Sequence, residues 1–389
     1  MPGRTDILLL AILLLALLGE TSDAVLGAAE RHVVRRWSWC RGTRTAVSAP
    51  ELPPKTTAGG HVMRAIGFEE NGGPEVLRTV EVPTPEAGPG EVLVRVAYAG
   101  VNYAEVQHRL GDFGPPDTLD IPGMEASGHV AAIGEGVSGF AVGDPVAVYL
   151  PDGGGYAEYA VAPARFTFPL HTPRGEIDLR TAGGAALVLP TAYGVLAGAA
   201  RLRPGDSVLI HAAAGGVGSV AAQIARALGA DTVYGTVGST DKAEYAKRFG
   251  YDAVFPREDF PDAVRDATGG RGVDVVLDPV GGPTRLASLD VLAPFGRVAF
   301  YGEAARHPDL NLPLLPLWKN NRSLTGYNIG DVSRRAPDLL RAHGLAALEL
   351  VASGSVHIDV TDILPLAAAA RAHERMQAGH NVGKTLLAV

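Results

Sequence analysis

From Gly205 to Gly229 the chain runs through a short apolar segment, a turn of small residues and an amphipathic stretch. The turn carries Ala212, Gly215, Gly216, Val217 and Gly218. Little bulk there lets a diphosphate approach the backbone, and a helix starting at such a turn offers unpaired N–H groups and the positive end of its dipole. The same residue types also serve as a plain strand-to-helix connector. Placement at the first strand of a βαβ unit separates the two readings and favours a nucleotide cofactor.

The end of the next apolar segment bears on which cofactor. Thr232–Val237 runs into Gly238-Ser239, with Lys242 three residues on. Folds that bind NAD usually place an Asp or Glu at this strand end, and such a carboxylate would repel a 2′-phosphate. Here a hydroxyl and an ammonium stand instead, groups that can meet a phosphate, so NADPH is the expected cofactor. Asp241 opposes that field, and Lys242 equally suits a solvated position in the first turn of the next helix. Farther on, Pro279–Gly281 and Tyr301-Gly302 fall at the carboxyl ends of later strands, where open α/β sheets bind ligands and where turns also need such residues.

These residues need a frame of strands and helices to hold them. From Met63 to about Leu170 the segments Val92–Val101, Gly128–Ile133, Pro145–Tyr149 and Tyr156–Val161 read as half-buried strands bounded by Gly or Pro, with one helix starting near Asn102. Beyond about Ala182 helices and strands alternate. Helices are expected over Ala192–Ala200, Val217–Leu228 and Lys242–Phe249, and strands at Ser207–Ala212, Thr232–Val237, Asp252–Phe255, Val273–Asp278 and Arg297–Gly302. That alternation predicts a doubly wound α/β domain with a parallel sheet. Strands near Val356–Val360 and at Lys384–Val389 close the chain and are expected to return to the first, β-rich domain.

Composition limits the partners. The 389 residues exceed one ordinary core, and a formal net charge of -8 disfavours a nucleic-acid surface. The single cysteine, Cys40, allows neither an intrachain disulfide nor a cysteine-based four-ligand zinc site. Residues 7–18 form an apolar run of twelve, shorter than the roughly 20 residues a membrane span needs. As an export signal the run has Arg4 ahead of it, but Asp6 cancels that charge and no small-x-small cleavage site follows directly. Residues 1–62 show no strand or helix period and are read as an extension or a misassigned start ahead of Met63. A cytoplasmic protein with small-molecule partners, without membrane or nucleic acid, is expected.

The run Gly205-Asp206, Leu209, Ala213-Ala214-Gly215-Gly216, Gly218, Gln223 and Arg226 resembles the signature of the quinone oxidoreductase and zeta-crystallin branch of the medium-chain dehydrogenase/reductase superfamily. Similar text recurs at Gly90–Val94, Gly100-Val101-Asn102, Pro122–Glu125 and Gly143–Val146, and the resemblance covers Met63 to Val389. It implies a Rossmann NADPH-binding domain over 186–325 and a GroES-like catalytic domain over 63–185 and 326–389. Zinc-dependent relatives carry a cysteine and a histidine where this chain has Gly100 and Met124, so the resemblance implies zinc-independent hydride transfer and no metal.

Quinones and α,β-unsaturated carbonyls suit such chemistry, because the charge lands on a conjugated oxygen that needs only hydrogen-bond donors. Quinone reduction is the expected activity. Reduction of enones, enals or enoyl thioesters on the same fold is the near alternative, and a non-catalytic NADPH-binding or structural protein the distant one. By resemblance Asn102 lies beside the nicotinamide, although an Asn there also suits a helix cap. Tyr103 and Gln107 lie within two turns of it and are candidate pocket residues. Family members often carry a tyrosine at Gln107 and another near Pro256. Thr191 resembles the family threonine near the nicotinamide, and Lys384 either approaches the cofactor or caps an edge strand. His108 and His129 read as ordinary partly exposed histidines without a partner carboxylate. A homodimer is a further implication of the resemblance.

Overall fold

A computed structural model describes residues 61–389 apart from 117, 309, 310 and 313. The apolar run 7–18, Cys40 and the expectations for residues 1–60 lie outside the described residues, while Val62 opens the first strand. Two large sheets organise the chain, and each has a sequence reason.

The six-stranded sheet is wholly parallel. Its strands are β10 (Ser207–Ile210), β11 (Thr232–Val237), β12 (Ala253–Pro256), β13 (Val273–Asp278), β14 (Leu292–Phe300) and β15 (Ser323–Gly326), in spatial order β12-β11-β10-β13-β14-β15. Val208, Leu209 and Ile210 of β10 are fully buried, as strands covered on both faces must be. The strand order reverses between β10 and β13, and ligands bind at the carboxyl edge of such a sheet beside that switch point. The glycine turn leaves β10 there.

The seven-stranded sheet takes β3 (Glu91–Val101), β4 (Glu125–Ile133), β5 (Pro145–Tyr149), β6 (Tyr159–Pro163) and β7 (Thr167–Pro169) from the first half of the chain. It takes β16 (Val360–Pro365) and β17 (Lys384–Ala388) from the end. Only the β16–β17 pair is parallel. The first two strands of the described residues, β1 (Val62–Gly67) and β2 (Arg78–Pro83), form a separate antiparallel ribbon, and β8 (His171–Thr172) pairs with β9 (Gly175–Glu176) in another. One hydrophobic core lies inside this β-rich part, and a second runs from the six-stranded sheet across helices Val188–Tyr193 and Pro337–Ala352 to Phe166 and Phe168.

Several expected elements shift for identifiable reasons. The helix expected over Ala192–Ala200 is an α-helical stretch, Val188–Tyr193, followed by a π-helical turn, Gly194–Ala199. Tyr327 packs at the junction, where a Cβ on Gly194 would lie 2.4 Å from its hydroxyl. Tyr156 and Ala157, expected to open a strand with Val161, instead meet β1, with Ile66 N donating to Tyr156 O at 2.8 Å. Val356 and Ile358 alternate like a strand, yet they pack into the core unpaired, and the strand begins at Val360. β17 lies between β16 and β3, so Lys384 does not cap an edge strand.

Candidate active site

The glycine turn owes its shape to close backbone approaches. Ala212 adopts φ +54, a left-handed conformation that costs an L-residue roughly 1–2 kcal/mol. Its carbonyl accepts from Gly215 N at 2.9 Å and lies 2.3 Å from where a Cβ on Gly218 would stand. Gly218 therefore lets the helix Gly216–Ala227 start directly against the strand. At Gly215 a Cβ would meet only Ala212 O, at 3.2 Å, and no side chain caps the helix. The first N–H groups of the helix, including those of Gly216, Val217 and Gly218, are thus left without a side-chain cap. That cradle fits a diphosphate.

Ser239 follows β11 and its hydroxyl donates to Asp241. Lys242 does not point at Ser239: its ammonium donates to Asn381 O at 2.9 Å and to Gly379 O. Burial, more than any neighbouring charge, lowers its pKa. The cation at the strand end is instead Arg257. Val237 pairs with Pro256, which brings the next residue alongside, and a Cβ on Gly238 would lie 3.1 Å from the Arg257 guanidinium. Sequence reasoning missed Arg257 because it stands in a different strand's exit. The absent tyrosine near Pro256 was the available signal.

A second cluster forms where Asn102 leaves β3. Asn102 caps the helix Tyr103–Arg109 in extended conformation, φ -129 and ψ 158. Its backbone N donates to Glu105 Oε2 at 2.7 Å, and its Nδ2 donates to Glu125 Oε1 at 3.0 Å and to Glu105 Oε1 at 3.3 Å. The Lys384 ammonium donates to Asn102 Oδ1 at 2.6 Å, to Glu125 Oε1 at 2.7 Å and to Val101 O at 3.1 Å. Glu125 and Lys384 are 0% and 3% exposed. Burial pushes the Glu105 carboxyl up to about 7, opposed by the Met124 N–H and by Lys384 and reinforced by Glu125. The Asn102 amide is thus held at both ends by the protein itself.

Lys384 also ties this corner to the glycine turn. Its Cδ lies 2.7 Å from where a Cβ on Gly216 would be, Gly383 N donates to Ala214 O at 2.8 Å, and Gly383 bridges Gly215 in parallel. Thr191 joins through Glu125, which accepts from Leu187 N at 2.7 Å while the Thr191 hydroxyl donates to Leu187 O at 2.7 Å. The position of Gly100 is filled by Glu125, whose Oε1 lies 2.3 Å from a Cβ built there, and Met124 N donates to Glu105 Oε1 at 2.9 Å.

Along the outer face of the helix, the Tyr103 hydroxyl donates to Ala304 O at 3.1 Å and Gln107 Nε2 to Glu303 O at 3.3 Å. Both carbonyls belong to the loop after Tyr301-Gly302, at the carboxyl end of β14. Burial raises the Tyr103 pKa, with Arg306 lowering it and Asp112 raising it. Tyr301 N donates to Asp278 O at 2.9 Å, and a Cβ on Gly302 would crowd Pro279 O at 2.9 Å. His108 has the partner carboxylate the sequence did not reveal: its Nε2 lies 3.2 Å from Asp120 Oδ2, a hydrogen bond that raises its pKa.

A family described as alcohol dehydrogenase GroES-like domain matches residues 88–172, and one described as zinc-binding dehydrogenase matches residues 216–343. A 2-haloacrylate reductase from Burkholderia sp is 35% identical over 348 residues, covering 84% of this chain and 98% of that protein. A quinone oxidoreductase from Pseudomonas aeruginosa is also 35% identical, over 83% of this chain and 99% of that protein. The chain belongs to the quinone oxidoreductase branch of the medium-chain dehydrogenase/reductase superfamily. The Escherichia coli quinone oxidoreductase, solved in complex with NADPH, superposes on this medium-chain oxidoreductase with a TM-score of 0.77 at 31% identity, over 84% of this chain and 100% of that one. The oxidoreductase has a Rossmann-like parallel-sheet domain and a GroES-like domain. Among the described residues no group of three or more His, Cys, Asp or Glu side chains could hold a metal ion, and no helix is long and apolar enough to cross a membrane.

Proposed function

We propose that this oxidoreductase binds NADPH on the Ala212–Gly218 turn and reduces a quinone without zinc. The observation that carries the reading is the uncapped helix start at Gly215 joined through Lys384 to Asn102, which brings a diphosphate cradle and a polar corner together. The N–H groups of Gly216, Val217 and Gly218 receive the diphosphate, and Ser239 and Arg257 receive the 2′-phosphate. Lys242, held by two carbonyls, supports that end through its field. Tyr301, Gly302 and Thr191 border the nicotinamide side, and Lys384 fixes Asn102. The residues 63–185 and 326–389 are assigned to the catalytic domain and 186–325 to the cofactor domain.

Bound NADPH supplies the hydride. The protein's part is orientation, exclusion of water and hydrogen bonding to the oxygen that gains charge. Tyr103 and Gln107 are the donors for it, because each now donates to a backbone carbonyl that an acceptor oxygen can replace. The raised pKa of Tyr103 keeps its proton on Oη near neutral pH. Gly100 and Met124 offer no ligand for Zn²⁺, so a zinc alkoxide route has no seat here. A quinone needs protons only at oxygen, whereas a thioester needs an acid placed at its α-carbon.

A second reading, reduction of enals or enones, is supported by the likeness to a 2-haloacrylate reductase. Steady-state NADPH oxidation with 1,4-benzoquinone, 9,10-phenanthrenequinone, an enal and crotonyl-CoA ranks the two. Highest kcat/KM with a quinone is expected; preference for the enal or for crotonyl-CoA overturns the order, and binding of NADPH without oxidation by any acceptor marks a binding protein.

A further inference from the structure

Beyond Tyr103 and Gln107, the segment of the helix Tyr103–Arg109 and the loop after β14 meet once more. Asp112 lies three residues past the helix Tyr103–Arg109 and folds back under it, its N–H donating to Gln107 O at 3.0 Å and its Oδ2 accepting from Gln107 Nε2 at 3.1 Å. From the other side Arg306 reaches it in a forked pair: NH2 to Oδ1 at 2.6 Å, and Nε to Oδ1 at 2.9 Å and to Oδ2 at 3.0 Å. Arg306 holds this place at φ +48, a conformation that a non-glycine residue adopts rarely.

The Arg306 side is rigidly founded. Arg285 bonds Asp278 Oδ2 through Nε at 2.8 Å, donates to Gly302 O through NH2 at 2.8 Å, also pairs with Glu303, and stacks over Phe300 at 4.3 Å. Asp278 is fully buried and in turn accepts from Val280 N and Gly281 N. The loop 302–306 is therefore bolted to the ends of β13 and β14, and Arg306 extends from a fixed base. Successive crossings from Asn102 outward are Tyr103 to Ala304, Gln107 to Glu303, and Asp112 to Arg306. An acceptor displacing the first two contacts still meets the third.

We propose that the Asp112–Arg306 pair is a strap across the mouth of the acceptor site that selects compact acceptors over extended ones. The inference rests on the reading that acceptors enter beside Tyr103 and Gln107. Its energy is that of a partly exposed ion pair, screened by salt, which suits a contact that opens in each turnover.

The test compares Asp112→Ala, Arg306→Ala and the exchanged variant Asp112→Arg with Arg306→Asp, using 1,4-benzoquinone and 9,10-phenanthrenequinone with NADPH. Each alanine variant is expected to raise the ratio of kcat/KM for the larger quinone over the smaller by about two- to fivefold, the range such a pair can supply, and the exchange to lower it again. Added salt is expected to raise the ratio in the wild type and to leave it unchanged in the alanine variants. An unchanged ratio in both alanine variants overturns the strap while leaving quinone reduction standing. If the wild type reduces neither quinone, the functional reading fails on its own. Amide hydrogen exchange over residues 110–114, the side of the pair that lacks such a base, then decides the strap separately: faster exchange in both alanine variants supports it, and unchanged protection overturns it.

Discussion

The glycine turn and the Asn102 corner lie side by side, yet they are built in opposite ways. The turn is seven consecutive residues, Ala212–Gly218, whose function depends on backbone and on the absence of side chains. The corner gathers Asn102, Glu105, Glu125 and Lys384, with Lys384 lying 282 residues from Asn102 along the chain. A local device tolerates change elsewhere in the fold. An assembled one couples β3, β4 and β17, so that a change at any member is felt by the rest.

Breaking the corner has the largest expected effect. Lys384→Met leaves Glu125 buried without its cation and is expected to destabilise the protein by about 3–5 kcal/mol, measured by urea unfolding. Replacing Glu125 by Leu in the same chain is expected to recover only part of that loss, because the buried Leu187 N–H and Asn102 Nδ2 then lose their acceptor. A loss below about 1 kcal/mol for Lys384→Met would show that the pair is hydrated, as exposed pairs are.

Next comes the pH dependence that the corner alone should confer. The Glu105 carboxyl titrates at about 7 in the folded protein, against about 4.3 in an unfolded chain. At Glu105 the folded state therefore holds an extra proton between those values, and the stability this group contributes falls as pH rises from about 4.3 to about 7, against the opposite trend of the buried His211 and His373, whose pKa values burial lowers to about 4 and about 3. That window corresponds to about 4 kcal/mol. Glu105→Gln is expected to make Tm change more favourably with rising pH across that window than in the wild type, and an equal slope in the variant would remove Glu105 as a contributor.

The turn is expected to show the smallest stability effect and the sharper functional one. Gly218→Ala drives a Cβ towards Ala212 O and is expected to cost about 1–3 kcal/mol by overpacking. Titration of NADPH fluorescence is expected to show binding weakened at least tenfold, since the N–H cradle shifts with the strand-to-helix junction. Undiminished binding in this variant would place the diphosphate elsewhere.

The alternation of strands and helices after Ala182 was legible because a parallel sheet buries continuous apolar runs, and Val208–Ile210 show it directly. Weaker patterns misled. Val356, Ile358 and Val360 alternate as strand residues do, but burial against the helix Pro337–Ala352 rather than pairing explains the first two. Tyr103 and Gln107 could be named as candidates from their place in the helix. Their partners Ala304 and Glu303 offer only backbone carbonyls, which every residue has, so no sequence signal marks them.

By itself the sequence determined the small-residue turn between β10 and the next helix, the residue types at Gly100 and Met124, and the missing carboxylate at the end of β11. Each depends on residue type at one place in a regular unit. Only the tertiary structure decided that Arg257 stands beside Gly238, that Lys384 joins the turn to Asn102, and that Asp112 meets Arg306. Those pairings arise from strand register and domain approach, where residues far apart in the chain come within hydrogen-bond distance and low-dielectric surroundings make their charges count.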